Sequence, residues 1–119
     1  MMEKSQVGKL GEDLAAEFLK KRGMKIICRN WKSPRWGELD IVAKDKGVLV
    51  FVEVNTRSPG SLGKPFEAVD FHKLKSLVKT SQNYKLFNPD SPDQMRIDVV
   101  SIVLGSIPEI EYFESVYQE

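Results

Sequence analysis

Two short segments of this chain carry carboxylates where a buried strand would carry apolar side chains. They are Gly37-Glu38-Leu39-Asp40-Ile41-Val42-Ala43 and Val48-Leu49-Val50-Phe51-Val52-Glu53-Val54-Asn55-Thr56-Arg57. A charge inside a strand is costly unless it is paired or bound to a cation. Side chains alternate faces along a strand, so Glu38 and Asp40 share one face of the first segment, and Glu53 and Asn55 share one face of the second. The polar turn Lys44-Asp45-Lys46-Gly47 between them predicts a hairpin. Asp40 and Glu53 lie about equally far from that turn, so their carboxylates converge at its open end. Two carboxylates in contact repel, and one stays protonated unless a cation sits between them. A divalent metal would resolve the conflict, hold a phosphate oxygen and lower the pKa of a bound water. Ordinary ion pairs, Glu53 with Arg57 or Asp40 with a nearby lysine, are the structural alternative.

The rest of the chain limits what such a metal could be. Cys28 is the only cysteine and His72 the only histidine, which excludes an intrachain disulfide and a cysteine zinc cluster. A metal site here is therefore mostly oxygen-ligated and suits magnesium, manganese or calcium. Glu12 is a further candidate acid. It follows Gly8 and Gly11 inside a helical pattern, where each glycine weakens the helix by about 1 kcal/mol relative to alanine. That cost makes sense where a packed strand or a ligand must approach the backbone.

The elements that must position these acids can be read from periodicity. Val7, Leu10, Leu14 and Phe18 predict a helix over residues 4–22, stopped at Gly23. Strands are expected at residues 24–30, 37–43 and 48–55, the last apolar on both faces and so inside the sheet. Residues 31–36 form a basic, aromatic loop broken by Pro34. A breaker-rich loop follows at residues 58–65, then a helix from residue 66 or 70 to 84, a fourth strand at 95–104 and a fifth at 110–113. The acidic, aromatic C-terminal segment could be an edge strand, a dimer contact or a frayed tail. The result is one α/β domain over residues 1–119, of order α-β-β-β-α-β-(β), a mixed sheet with helices packed on it.

Net charge is +1, so nucleic-acid binding requires cations gathered on one face. Two stretches permit this, Lys20 to Arg35 and Lys73 to Lys79. No apolar run is long enough to span a bilayer, and the N-terminus leads into a polar helix rather than a signal-peptide core, so a cytoplasmic location is expected.

The ordered set Gly8-x-x-Gly11-Glu12 with Ala15, Asn30-Trp31, Gly37-Glu38-Leu39-Asp40, Phe51-Val52-Glu53-Val54, Thr56-Arg57, Lys73 and Arg96-Ile97-Asp98-Val99-Val100 resembles the YraN-like family of small bacterial proteins predicted to be nucleases. More broadly it is similar to the PD-(D/E)XK nuclease superfamily and, in order and spacing, to archaeal Holliday-junction resolvases. The resemblance implies a restriction-endonuclease-like sheet flanked by helices. It implies a Mg2+ or Mn2+ ion held by Asp40 and Glu53, with the Val54 carbonyl as a third ligand and Glu12 assisting through water or a second metal. The substrate class would be DNA, branched or nicked, cut by in-line attack of water on a phosphodiester, and a homodimer would be compatible.

The chain departs from the superfamily motif at its last letter, where Asn55 replaces lysine. Asparagine donates a hydrogen bond but brings no positive charge. Losing such a contact in a dry site costs about 3 kcal/mol or more, near a hundredfold in rate. Lys73 is the best replacement from a neighbouring element, with Lys64 and Arg57 behind it. Arg35, Trp36, Arg57 and Lys64 are the expected nucleic-acid contacts, since tryptophan beside cations suits base stacking and phosphate contact. Trp31 is expected to cap the core. A non-catalytic nucleic-acid-binding module on the same scaffold is the alternative that Asn55 motivates, and a protein-interaction domain stays open because the net charge is near zero.

Overall fold

The computed structural model describes residues 3–60 and 70–119. Its elements run α1 (Lys4–Lys21), β1 (Lys25–Lys32), β2 (Glu38–Asp45), β3 (Val48–Arg57), α2 (Phe71–Phe87), β4 (Met95–Val103) and β5 (Glu109–Gln118). The five strands form one sheet of order β1-β2-β3-β4-β5. Only β3 and β4 pair in parallel; the other neighbours are antiparallel. The expected element order therefore holds, and apolar β3 is the central strand.

Each helix covers one face of the sheet. The α1 stripe of Ala15, Ala16 and Leu19 packs on Ile41, Val50, Val52, Val100 and Ile102. On the other face, Leu77 and Tyr84 of α2 pack on Leu39, Val42, Phe51 and Ile97. This is the layered solution for a sheet with two apolar faces. Helix α1 opens with a reciprocal cap between Glu3 and Gln6 and closes before Gly23, whose φ is +92°. Helix α2 opens at Asp70, whose Oδ1 accepts the Lys73 N–H at 2.8 Å. The earlier start at residue 66 lies outside the described residues. Lys46 and Gly47, with φ of +50° and +83°, make the two-residue turn between β2 and β3.

Helix α2 and strand β3 run a few residues past their expected ends, to Phe87 and Arg57, and two further boundaries differ in ways that matter for the site. Strand β1 continues through Trp31 to Lys32, because the indole packs edge-on against Tyr84 with ring centroids 5.2 Å apart. The loop is thus shortened to Ser33–Gly37, and Trp31 caps the core as expected. The C-terminal segment is an edge strand, longer than predicted. It crosses a register shift opposite Ile97 and Val99, where Ser115 adopts φ +56°. Fully buried Asp98 holds that shift: it accepts the Ser115 N–H at 2.9 Å, the Tyr112 hydroxyl and Arg96 Nε at 3.1 Å. Arg96 in turn reaches Asp45 at 2.9 Å, so a buried charge is matched on every side. Among the described residues no helix is long and apolar enough to cross a membrane.

Candidate active site

The β2–β3 ladder runs from Asp45↔Val48 to Ile41↔Val52 and then ends, although the next step would set Asp40 opposite Glu53. In place of a backbone acceptor, Asp40 Oδ2 takes the Val54 N–H at 2.8 Å. The strands part here, and the two carboxyls meet in the gap. Burial, together with the hydrogen bond and charge of Glu53, pushes Asp40 up to about 8; the Val54 N–H pulls the other way, and the charge of Glu12 adds to the rise. Asp40 therefore holds its proton far more tightly than a free carboxyl, as expected of acids that converge without a cation.

A matched fault in the neighbouring strands opens this gap. Cys28 and Trp31 both pack on the α2 face, as do Leu39 and Val42. Residues three apart on a regular strand point to opposite faces, so each strand switches between these residues, at Asn30 and at Asp40; β1 has a further switch at the register shift between Ile26 and Cys28. The two positions face each other, since Arg29 pairs with Ile41 and Trp31 with Leu39. Asn30 makes the switch by adopting φ +55°, a left-handed conformation that asparagine tolerates better than most residues.

The side chain of Asn30 turns to α1, where Nδ2 donates to Glu12 Oε1 at 2.9 Å. Arg29 adds contacts to Glu12 at 3.5 Å and to Asp13 at 2.8 Å. Glu12 is brought this close because α1 touches β3 at a glycine. A Cβ on Gly11 would lie 1.8 Å from Thr56 Oγ1, so only glycine lets the helix down onto the strand. Of the two explanations for the helix glycines, a packed strand therefore accounts for Gly11. The role of Asn30 is not visible in strand periodicity; the residue stands in the Asn30-Trp31 motif, which gives no hint of its backbone conformation.

Lys73 reaches the pair from the first turn of α2, its Nζ 3.0 Å from Glu53 Oε2. Burial alone would lower its pKa, but the bond to Glu53 and the charges of Glu53, Asp40 and Asp70 outweigh that, so it is raised and the amine stays charged. The Glu53 side chain is only 11% exposed, so this ion pair is better protected than a surface contact. Asn55 sits two residues along β3, level with Ser101 of β4. Val54 contributes its backbone: in an extended strand the carbonyl faces the same edge as the N–H that Asp40 receives.

The loop residues lie along the same helix. Ser33 Oγ accepts the Arg35 and Trp36 N–H groups at 3.2 and 3.1 Å and donates to Asn83 Oδ1 at 2.6 Å. Ser76, one turn beyond Lys73, donates to the Trp36 carbonyl at 3.4 Å. Two cations lie over the Trp36 ring, Lys79 Nζ at 4.6 Å and Arg35 at 5.0 Å from its centroid. Trp36 is thus less a bare stacking platform than the centre of a cationic patch. Arg57 closes β3, its carbonyl accepting the Leu104 N–H at 2.9 Å. Glu38 is exposed at the start of β2, and Lys64 lies outside the described residues.

The donors gathered here are all oxygens, which fits a hard divalent cation held by Asp40, Glu53 and the Val54 carbonyl. Glu12 does not close a third side: among the described residues no three His, Cys, Asp or Glu side chains are near enough to hold a metal together. Its charge is felt at Asp40, while its carboxylate is tied to Asn30.

Comparison with known proteins gives a family. A profile for "Uncharacterised protein family UPF0102" matches residues 11–102. A UPF0102 protein of Paenarthrobacter aurescens is 42% identical over 118 residues, covering 98% of this chain and 97% of the relative. Those of Persephonella marina and Dictyoglomus thermophilum are 41% identical over 104 residues and 40% over 114; they span 87% and 93% of this chain and 89% and 96% of their own lengths. The matched segment holds Glu12, Asp40, Glu53 and Lys73, and the chain belongs to the uncharacterised protein family UPF0102.

Proposed function

We propose that this protein is a metal-dependent DNA endonuclease of the cytoplasm, in which Asp40, Glu53 and the Val54 carbonyl hold Mg2+ or Mn2+. The observation that carries the proposal is the convergence of the Asp40 and Glu53 carboxyls at the open end of the hairpin, where the β2–β3 ladder stops, beside the backbone of Val54. A bound divalent ion would supply a polarised phosphodiester and an acidified water.

The chain's own residues supply the remainder. Lys73, charged and 3.0 Å from Glu53, brings the positive charge that Asn55 lacks and stands where it can meet a phosphate oxygen. Asn55 offers a hydrogen bond to the same region. Glu12, fixed by Asn30, orients water from the α1 side. Arg35 and the Trp36–Lys79 pair place cations along α2 beyond Lys73, a track for the phosphate backbone of a branched or nicked duplex.

The test is cleavage of nicked, branched and linear DNA with Mg2+ or Mn2+, comparing the wild-type protein with Asp40→Ala. Cleavage that needs the metal and is lost in the variant supports the proposal. No cleavage of any of these substrates overturns it. One observation favours a second reading, a nucleic-acid-binding module without catalysis: Lys73 already neutralises Glu53, leaving less need for a metal. DNA binding that persists in EDTA and survives Glu53→Ala, without cleavage, would favour that module.

A further inference from the structure

Gly8 and Gly11 lie about one turn apart on α1, yet packing explains only one of them. A Cβ at Gly11 collides with Thr56, whereas a Cβ at Gly8 would meet none of the described residues within 4 Å. Glycine inside a helix is unfavourable relative to alanine, and no contact among the described residues requires one at Gly8.

Gly8 forms part of an open cleft of about 440 Å³, walled by Ser5, Lys9, Glu12, Asp13, Arg29 and Asn30. Asn30 lines this cleft and lies opposite Asp40 across the β1–β2 pair, so the cleft adjoins the candidate active site. Its cations, Lys9 and Arg29, are balanced by Glu12 and Asp13, and Arg29 is already engaged by both acids. A balanced cleft holds a free anion poorly. It suits a phosphate that arrives as part of a strand held elsewhere, because the tether supplies the local concentration. Lys9 is exposed and close enough to the bare backbone of Gly8 to meet such a phosphate.

We propose that the cleft over Gly8 is a second backbone subsite for a nucleic-acid strand, with the sugar-phosphate chain lying against Gly8 and a phosphate contacting Lys9. The subsite rests on the nucleic-acid reading above and names where the strand leaves the Asp40–Glu53 pair.

The test is binding of a fluorescently labelled nicked duplex in EDTA, measured by anisotropy over a range of salt, for wild type, Gly8→Ala and Lys9→Gln. Gly8→Ala is expected to raise the thermal midpoint by about 3–5 °C while weakening binding roughly tenfold, as a methyl intruding on a close contact does. Lys9→Gln is expected to lower the slope of log affinity against log salt by about 0.7–0.9, one phosphate contact. Wild-type binding that both variants match overturns the subsite alone. A lowered midpoint in Gly8→Ala also overturns it, because the glycine is then required by the fold. A wild-type protein that does not bind the duplex overturns the nucleic-acid reading, and the subsite with it.

Discussion

Replacing Asp40 with asparagine should stabilise the protein, and only at higher pH. The carboxamide oxygen can still accept the Val54 N–H, and its NH2 can donate to Glu53, but no second charge enters the gap. In the wild type, burial and Glu53 raise Asp40 from 3.8 to about 8. The sign follows from linkage: a carboxyl raised on folding binds its proton more tightly in the folded state. The stability this confers is full below about pH 4 and is lost as pH climbs through about 8. At about 1.4 kcal/mol per tenfold, that rise corresponds to on the order of 5 kcal/mol at the limit. The gap lies at a cleft edge where the carboxyls can part and hydrate, so roughly 2–3 kcal/mol should be realised. Urea unfolding of wild type and Asp40→Asn from pH 4 to pH 9 measures it. The two proteins should coincide near pH 4 and diverge until about pH 8, with the variant unfolding about 1–2 M later in urea at pH 9. A difference that does not change with pH, or a variant less stable at pH 9, would refute the raised-carboxyl account.

Lys73→Gln should lower cleavage about a hundredfold or more without weakening metal binding, because the lysine competes with a cation for Glu53; isothermal titration with Mn2+ beside the cleavage assay separates the two effects. Gly11→Ala should destabilise by about 3 kcal/mol through collision with Thr56, read as a fall in the thermal midpoint. Asp98→Asn should cost about 2–3 kcal/mol, because a neutral carboxamide weakens the charge-assisted bonds from Arg96 Nε, the Ser115 N–H and the Tyr112 hydroxyl, while Arg96 keeps Asp45 and Glu114; denaturant unfolding would detect this even if cleavage per folded molecule stays unchanged.

The meeting of Asp40 and Glu53 was legible in the sequence because a hairpin turn fixes register, and residues equidistant from the turn come together. The central place of β3 followed from its two apolar faces in the same way. Lys73 could be named as a candidate but not placed, since a contact between α2 and β3 depends on how the helix lies on the sheet. Asn30 escaped because a left-handed backbone leaves no mark on apolar periodicity, and the switch it makes together with Asp40 is a property of two paired strands. The pairs Cys28–Trp31 and Leu39–Val42 give it away only once their faces are known. Gly8 and Gly11 look alike in the sequence; Thr56, distant along the chain, distinguishes them. Strand β5 was read short because the shift at Ser115 breaks its alternation.

If a divalent cation takes the place of the proton between Asp40 and Glu53, binding it near pH 7 must expel that proton. Calorimetric titration of Mn2+ into the protein, repeated in buffers of different ionisation enthalpy, counts it directly. The account predicts close to one proton released per metal bound in the wild type, with binding lost in Asp40→Ala. Absence of binding, or binding that releases no proton and persists in Asp40→Ala, would contradict it.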